Sequence, residues 1–216
     1  MSFAAMMLIG LIIDVLVGWP NWLYSRIKHP VTWMGLSIDA CEQRLNTGTR
    51  ARQLAGGLLT VLTLVTATAL ITATLQACLP DGPLGLFLGG LLAWPFIAAR
   101  SMSEHVEAVA TPLKAGDLPK ARYAVSMIVG RNPETLDTQG GARAAIESLA
   151  ENTSDGITAP LFWGCILGLP GIAAYKAINT MDSMIGHRSP RYEAFGKTAA
   201  RLDDLVNLLP ARLTGL

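Results

Sequence analysis

Three short stretches of the chain carry the residue types that do chemistry. The first runs over residues 147–156 (ESLAENTSDG). On a helix Arg143, Glu147 and Glu151 fall at i, i+4 and i+8, and Asp155 extends the line. Carboxylates stacked in this way repel one another unless something positive sits against them. Such a run suits a cationic substrate, or a magnesium ion held through one or two carboxylates together with substrate phosphates. The plainer alternative is an ordinary solvated acidic face, which the apolar sequence that follows disfavours. The second stretch, 176–188, puts Lys176, Asn179, Thr180 and Ser183 on one helical face with Asp182 beside it. Lysine meets phosphate as a point charge, and Asn and Asp hold a metal or orient a nucleophile; a helix cap with surface polars is the alternative. In the third, Asp203 and Asn207 stand at i, i+4 and Arg201 and Asp204 at i, i+3, spaced as an ion pair, and Arg212 follows. Adjacent acids leading into apolar sequence are costly without partners.

Elements must hold these stretches together, and the apolar residues show where they run. They make up 51% of the 216 residues, against 15% charged, which is membrane-like. They fall in four blocks: 3–20, 54–79, 82–99 and 157–175. A spanning helix needs about 20 such residues, and the second block has 26 without a charge. Asp14 sits inside the first block, where an ionisable residue is functional by default unless it pairs with a neighbouring helix. All 17 Lys and Arg lie outside the four blocks. The bias of basic residues places 20–53 and 100–156 in the cytoplasm, and the N-terminus and the Pro80–Pro83 turn outside. Basic residues flank the fourth block on both sides, and Pro160, Gly164, Gly168, Pro170 and Gly171 interrupt it. Irregular backbone at membrane depth is tolerated where protein or a cavity satisfies it, so this block reads as a broken or re-entrant segment with both ends on the cytoplasmic side. A bent full span is the alternative.

The predicted fold is all-α: one polytopic membrane domain with a helical cytoplasmic loop over 100–156. In that loop Ser101 to Glu104 is spaced as a capping box. Pro119 to Val129 suits a helix ended by Gly130, and a third starts at Asp137 or Thr138 and runs to about Asn152. No strand pattern and no internal repeat stands out. A net charge of +1 argues against a nucleic-acid partner. Cys41, Cys78 and Cys165 are widely spaced and odd in number, which favours free thiols over disulfides or a zinc site. His29, ahead of Pro30, and His105 are weak signals, more often structural than catalytic. No phosphate-binding loop, dinucleotide fingerprint, nucleophile elbow or zinc-protease motif occurs.

Taken together these strings resemble the adenosylcobinamide-phosphate synthase (CobD/CbiB) family of cobalamin biosynthesis. The matching pieces are HPV at 29–31, AARS at 98–101, IVGR at 128–131, the run 145–156 with APLFW at 159–163, YKAINTMDSMIGH at 175–187, Tyr192, Phe195 with Gly196, AARLDDLVN at 199–207 and PAR at 210–212. The resemblance covers essentially the whole chain. It implies a multi-pass enzyme of the cell (inner) membrane, its active face cytoplasmic. Such an enzyme joins aminopropanol or its phosphate, through an amide, to a propionate of adenosylcobyric acid. ATP as co-substrate and Mg²⁺ are implied with it, as are the lipid bilayer, a corrinoid, a small amino alcohol and other late-pathway membrane enzymes as partners. On that chemistry Glu147, Glu151, Asn152, Asp155, Lys176, Asn179 and Asp182 form the catalytic set. Glu147, Glu151, Asp182, Asp203 and Asp204 are the expected magnesium ligands, and His29, His187, Arg201, Asn207 and Arg212 face phosphate or substrate. Two positions depart from the pattern: Trp19 stands where Gly-Asp-Pro is usual, and Asn132 where Asp is common. The family also runs longer beyond the apolar sequence that begins at Leu205. Two alternatives come from other classes: a membrane sensor related to the β-lactamase regulatory family, and a transporter with a midplane site.

Overall fold

A computed structural model describes residues 2–126 and 138–215. Among them every regular element is helical. The first block forms α1 (Phe3–Val17), which ends at Gly18. A bend of 112° separates it from α2 (Asn21–Ile27) and α3 (Pro30–Leu45). Helix α4 (Arg50–Ala77) is the long apolar block, and α5 (Pro83–Ala93) returns from the turn that follows it. A 3₁₀ turn, Trp94–Phe96, then leads to α6 (Ala99–Lys114). Two helical stretches, Arg50–Ala77 and Pro83–Lys114, are long and apolar enough to cross a membrane, or three if the bent pair counts as one. Leu58, Leu59, Leu62, Leu70 and Ile71 on α4, and Leu8, Ile12 and Leu16 on α1, are exposed, as a lipid-facing band requires. Trp22, Tyr24 and Trp33 are exposed beside Arg26 and Lys28, the composition of a membrane interface.

Helices α6, α7 (Leu118–Ser126) and α8 (Thr138–Thr153) pack together around Val109, Val125 and Ala145. The expected start of α6 is corrected. The helix begins before Ser101, its N-cap position is Ala98, and the cap is borrowed: the Arg100 backbone N–H donates to the Asp14 carboxylate at 3.0 Å. This explains a carboxylate in an apolar helix without assigning it chemistry. Val129 to Arg131, Asn132 and Asp137 lie outside the described residues.

The broken fourth block is a helical hairpin. After a π-helical turn at Ser154–Thr158 the chain forms α9 (Ala159–Leu167), reverses at Gly168, and returns as α10 (Leu169–Met181). Gly168 holds φ 71° and ψ −148°, a region open essentially to glycine alone. A Cβ there would also strike Gln76. The Gln76 side chain accepts from the Leu169 N–H at 2.8 Å, so it closes the hairpin tip against the far end of α4. At the other end Asn179 on α10 hydrogen-bonds Asp155, which precedes α9, at 3.2 Å. The two ends of the segment therefore lie together, as the expected re-entrant arrangement requires.

Helix α10 packs along α4 and α9, while α1 packs along α5 and α9. One core joins Met6, Met7, Ala93, Phe96, Leu169 and Ile172. A second joins Ile38, Val61, Ile178, Met181, Ile185 and Phe195. Beyond α10 a second π-helical turn, Asp182–Gly186, and the loop that follows reach α11 (Lys197–Val206) and α12 (Leu208–Thr214). The loop is tied to α3 by Arg191, which meets the buried Glu42 carboxylate with both Nε and Nη2, at 2.9 and 2.7 Å.

Candidate active site

The mouth of the α9–α10 hairpin gathers polar side chains from three elements. Asp155 comes from the first π-helical turn; Tyr175, Lys176 and Asn179 from α10; Asp203 from α11, with Asn207 at its end. Tyr175 Oη donates to Asn207 Oδ1 at 3.0 Å and approaches Asp155 Oδ1 at 3.5 Å. Asn207 Nδ2 donates to Asp203 Oδ2 at 3.0 Å. Trp163 braces the backbone from α9, its indole N–H donating to the Val206 carbonyl at 3.1 Å. The π-helical turns explain the placement. Each inserts a residue into the 3.6-residue spacing, so Asp155 rotates off the line that Glu147 and Glu151 continue and turns toward α10.

The electrostatics of the group are those of acids held out of water. Burial pushes the Asp155 carboxyl above its ordinary range, against the opposing hydrogen bond from Asn179. Burial also raises Asp182, with Asp204 adding to the effect. Asp203 is pushed up to about 6, first by burial and then by Asp182. Its Oδ1 is buried without a hydrogen-bond partner among the described residues. No three acidic, His or Cys side chains among the described residues form a ready metal cage. A hard cation sharing one or two carboxylates with phosphate does not need one. The unmet Asp203 oxygen and the raised acids around it fit such an ion.

Two cavities meet at this point. The smaller, about 300 Å³, is lined by Ser101, His105, Asn152, Asp155, Lys176 and Asn179 among others. The larger, about 550 Å³, is walled by Trp19, His29, Trp94, Arg100 and Lys176. They share Ala98, Ser101 and Lys176. The Lys176 ammonium has one long hydrogen bond, 3.5 Å to Asn179 Oδ1, so most of its donor capacity faces the divide. In the larger cavity the Trp19 ring lies edge-on to His29 at 4.6 Å and against Trp94 at 5.0 Å. His29 Nδ1 accepts from the Val31 N–H at 3.2 Å, which caps α3. That nitrogen carries no proton, so a cationic His29 facing phosphate would cost α3 its cap.

The other expected residues are distributed more widely. Glu151 is exposed on α8 yet close enough to raise Asp155 and Asp182. Glu147 is exposed one turn earlier and, among the described residues, takes no part in the hydrogen bonds of the group. Asn152 lines the smaller cavity, its amide bonded to Ser148 O and Oγ at 2.8 and 3.0 Å. His187, Arg201 and Asp204 line a separate pocket of about 660 Å³ with Arg50, Arg188 and Lys197. Arg201 and Asp204 share that pocket, but the ion pair their spacing suggested is not made: Arg50 pairs with Glu193 instead, at 3.1 Å. Arg212 is exposed and turns back onto the Leu208 carbonyl of its own helix. Sequence reasoning passed over Tyr175, whose i, i+4 relation to Asn179 was its one signal. It also passed over the Trp19–Trp94 wall, assembled from residues far apart in the chain.

Comparison with known proteins identifies the family. A family model described as CobD/Cbib protein matches residues 7–216. A protein named Cobalamin biosynthesis protein CobD from Rhodobacter capsulatus is 62% identical over 216 residues, covering 100% of this chain and 68% of the relative. The protein of that name from Sinorhizobium fredii is 48% identical over 210 residues, covering 96% of this chain and 64% of the relative. The one from Brucella melitensis is 44% identical over 211 residues. No solved structure matches the chain. These matches lend no support to the membrane-sensor alternative. The chain belongs to the CobD/CbiB family of cobalamin biosynthesis.

Proposed function

We propose that this chain forms an amide between a propionate of adenosylcobyric acid and aminopropanol or its phosphate, with ATP as co-substrate. The observation that carries the reading is Lys176, inward-facing and under-bonded where two unlike cavities meet. The smaller cavity, with the Asp155 carboxylate and the Asn152 and Asn179 amides, suits a small ammonium compound. The larger, with its aromatic wall, suits one arm of a bulky apolar-bodied substrate that presents a carboxylate to Lys176.

Amide formation from a carboxylate needs the acid activated, as an acyl phosphate, and water kept away. Lys176 binds the anionic oxygen of the carboxylate and then of the acyl phosphate. Asp155, steadied by Asn179 and Tyr175, holds the ammonium beside it. Asp182 and Asp203, with Asp204 and Glu151 nearby, are the residues that would hold magnesium, which supplies charge neutralisation on the transferring phosphate. His187 and Arg201, beside Arg50, Arg188 and Lys197, offer cations to nucleotide phosphates or to the phosphate of a phosphorylated amine. The active face is cytoplasmic and the membrane the inner one, where ATP and the corrinoid meet the chain.

The test is a corrinoid-pathway deletion strain complemented with the full-length protein, followed by purified enzyme. Wild type restores growth and forms amide from corrinoid acid, amine and ATP. Lys176→Met, which keeps the stem and removes the charge, lowers turnover by at least about 10²-fold, as loss of one electrostatic contact to a transition state does. Unchanged turnover in Lys176→Met overturns the assignment. Assaying free aminopropanol beside its phosphate identifies the amine.

A further inference from the structure

We propose that His105 is the base that deprotonates the amine in the smaller cavity. The inference rests on the amide-forming reading and names a catalytic residue for it. His105 lies on α6, one turn after Ser101, and lines the cavity with Asp155, Lys176 and Asn179. Its Nδ1 is 2.6 Å from the Ser101 carbonyl oxygen and 3.4 Å from the Ser101 hydroxyl. A carbonyl oxygen can only accept, so Nδ1 carries the proton. In the neutral ring the lone pair is then on Nε2. A backbone carbonyl fixing one nitrogen so that the other acts is the usual second partner of a working histidine.

The cavity needs such a group. An amine enters as its ammonium, which Asp155 and the Asn179 side-chain oxygen attract but which is not a nucleophile. Asp155 is engaged by Asn179 and Tyr175, and Lys176 faces the anion. His105 is the remaining titratable side chain among the described residues of the lining. On the neighbouring elements Glu104 is engaged by Arg100 at 2.8 Å, and Glu151, exposed like His105, stands outside the lining. The step balances. An N–H bond of the ammonium breaks and its proton passes to Nε2, giving imidazolium. The freed amine lone pair forms the C–N bond at the acyl phosphate carbon, the bond from that carbon to the phosphate oxygen breaks, and phosphate leaves with the electron pair. The second amine proton leaves with phosphate. The acyl phosphate itself is made from the carboxylate and a nucleoside triphosphate, with release of the diphosphate.

The experiment uses the full-length protein in nanodiscs with corrinoid acid, ATP and magnesium, and two acceptors. One is the amino alcohol, protonated at neutral pH; the other is hydroxylamine, which is largely unprotonated there. With the amino alcohol His105→Ala lowers kcat by about 10²–10⁴-fold, the usual worth of a general base. His105→Asn keeps a donor for the Ser101 carbonyl but not the base, and is slowed equally. With hydroxylamine both variants stay within about threefold of wild type, and imidazole added to His105→Ala restores part of the rate with the amino alcohol. Equal losses with both acceptors make His105 structural and overturn the proposal, as does no loss with either. Failure of wild type to form amide or hydroxamate removes the amide-forming reading, and the role of His105 falls with it.

Discussion

Asp203 shows what a single position can and cannot reveal. Helical periodicity separates it from Asp204: one is buried and the other exposed. The Asn207 partner at i+4 is made as the spacing suggests. What spacing could not give is the third dimension, the burial and then the approach of Asp182 and Asp155 that leave Asp203 with its carboxyl raised to about 6. The raised value sets a sign. The native state binds this proton more tightly than the unfolded chain, so the associated stability is complete below about pH 4 and is lost as pH rises through 6. Above pH 6 the folded protein holds an under-partnered buried charge. Asp203→Asn removes that charge at nearly constant shape, and its thermal midpoint in detergent should exceed that of wild type by roughly 2–4 °C at pH 7.5. The gap should close as pH falls toward 4. Magnesium should raise the wild-type midpoint above pH 6 and leave Asp203→Asn unmoved, while the variant loses at least about tenfold in amide formation. A wild type that is more stable than Asp203→Asn at pH 7.5 without magnesium would sink this account. The role proposed for His105 was out of reach of the sequence for the same reason: a lone histidine says nothing until the Ser101 carbonyl shows which nitrogen is free.

Elements were legible wherever composition was extreme. The block without charges is α4, and the Pro- and Gly-interrupted block is the hairpin α9–α10. The reversal is at Gly168 because its backbone angles exclude a side chain. Helix α3 went unannounced because its residues are mixed and its cap is a histidine rather than Ser, Thr, Asn or Asp. The start of α6 was misplaced because its cap is a carboxylate from a helix 86 residues away. Tertiary capping of this kind leaves no local trace. The hairpin tip offers an element-scale test that leaves the polar group untouched. Gly168→Ala forces a residue with a Cβ into the strained region, at about 1–3 kcal/mol. Gln76→Leu strips the Leu169 N–H of its acceptor where water is scarce, again about 1–3 kcal/mol. Each should lower the thermal midpoint. Each should also lower turnover, because α10 carries Tyr175, Lys176 and Asn179 back from that tip. A midpoint and rate unchanged in Gln76→Leu would mean that the tip does not position the site.

At the scale of the whole molecule, direction and charge agree. Met6 and Gly10 on α1 lie against Gly89 and Gly90 on α5, and Asp14 meets Arg100 just beyond. The order along both helices is the same, so they run parallel, while α4 leads into α5 through a short turn and runs the opposite way. The basic residues of the described segments then gather at one end of the bundle: around α2 and α3, at Arg50 and Arg52, along α6 to α8, and from Lys176 onward. Asp81, in the turn between α4 and α5, marks the other end, which carries no Lys or Arg. The positive-inside bias predicts that this basic end, where the hairpin mouth opens, faces the cytoplasm. Single cysteines in a background without Cys41, Cys78 and Cys165 test orientation and re-entry together. Glu151→Cys precedes the hairpin and Arg188→Cys follows it; both positions are exposed, as is Asp81→Cys in the distant turn. In oriented vesicles an impermeant maleimide should reach residues 151 and 188 from the same side and residue 81 from the opposite one. Labelling of 151 and 188 from opposite sides would make the segment a crossing helix pair. The hydrogen bond between Asp155 and Asn179 would then be impossible, and the site built on it would fall.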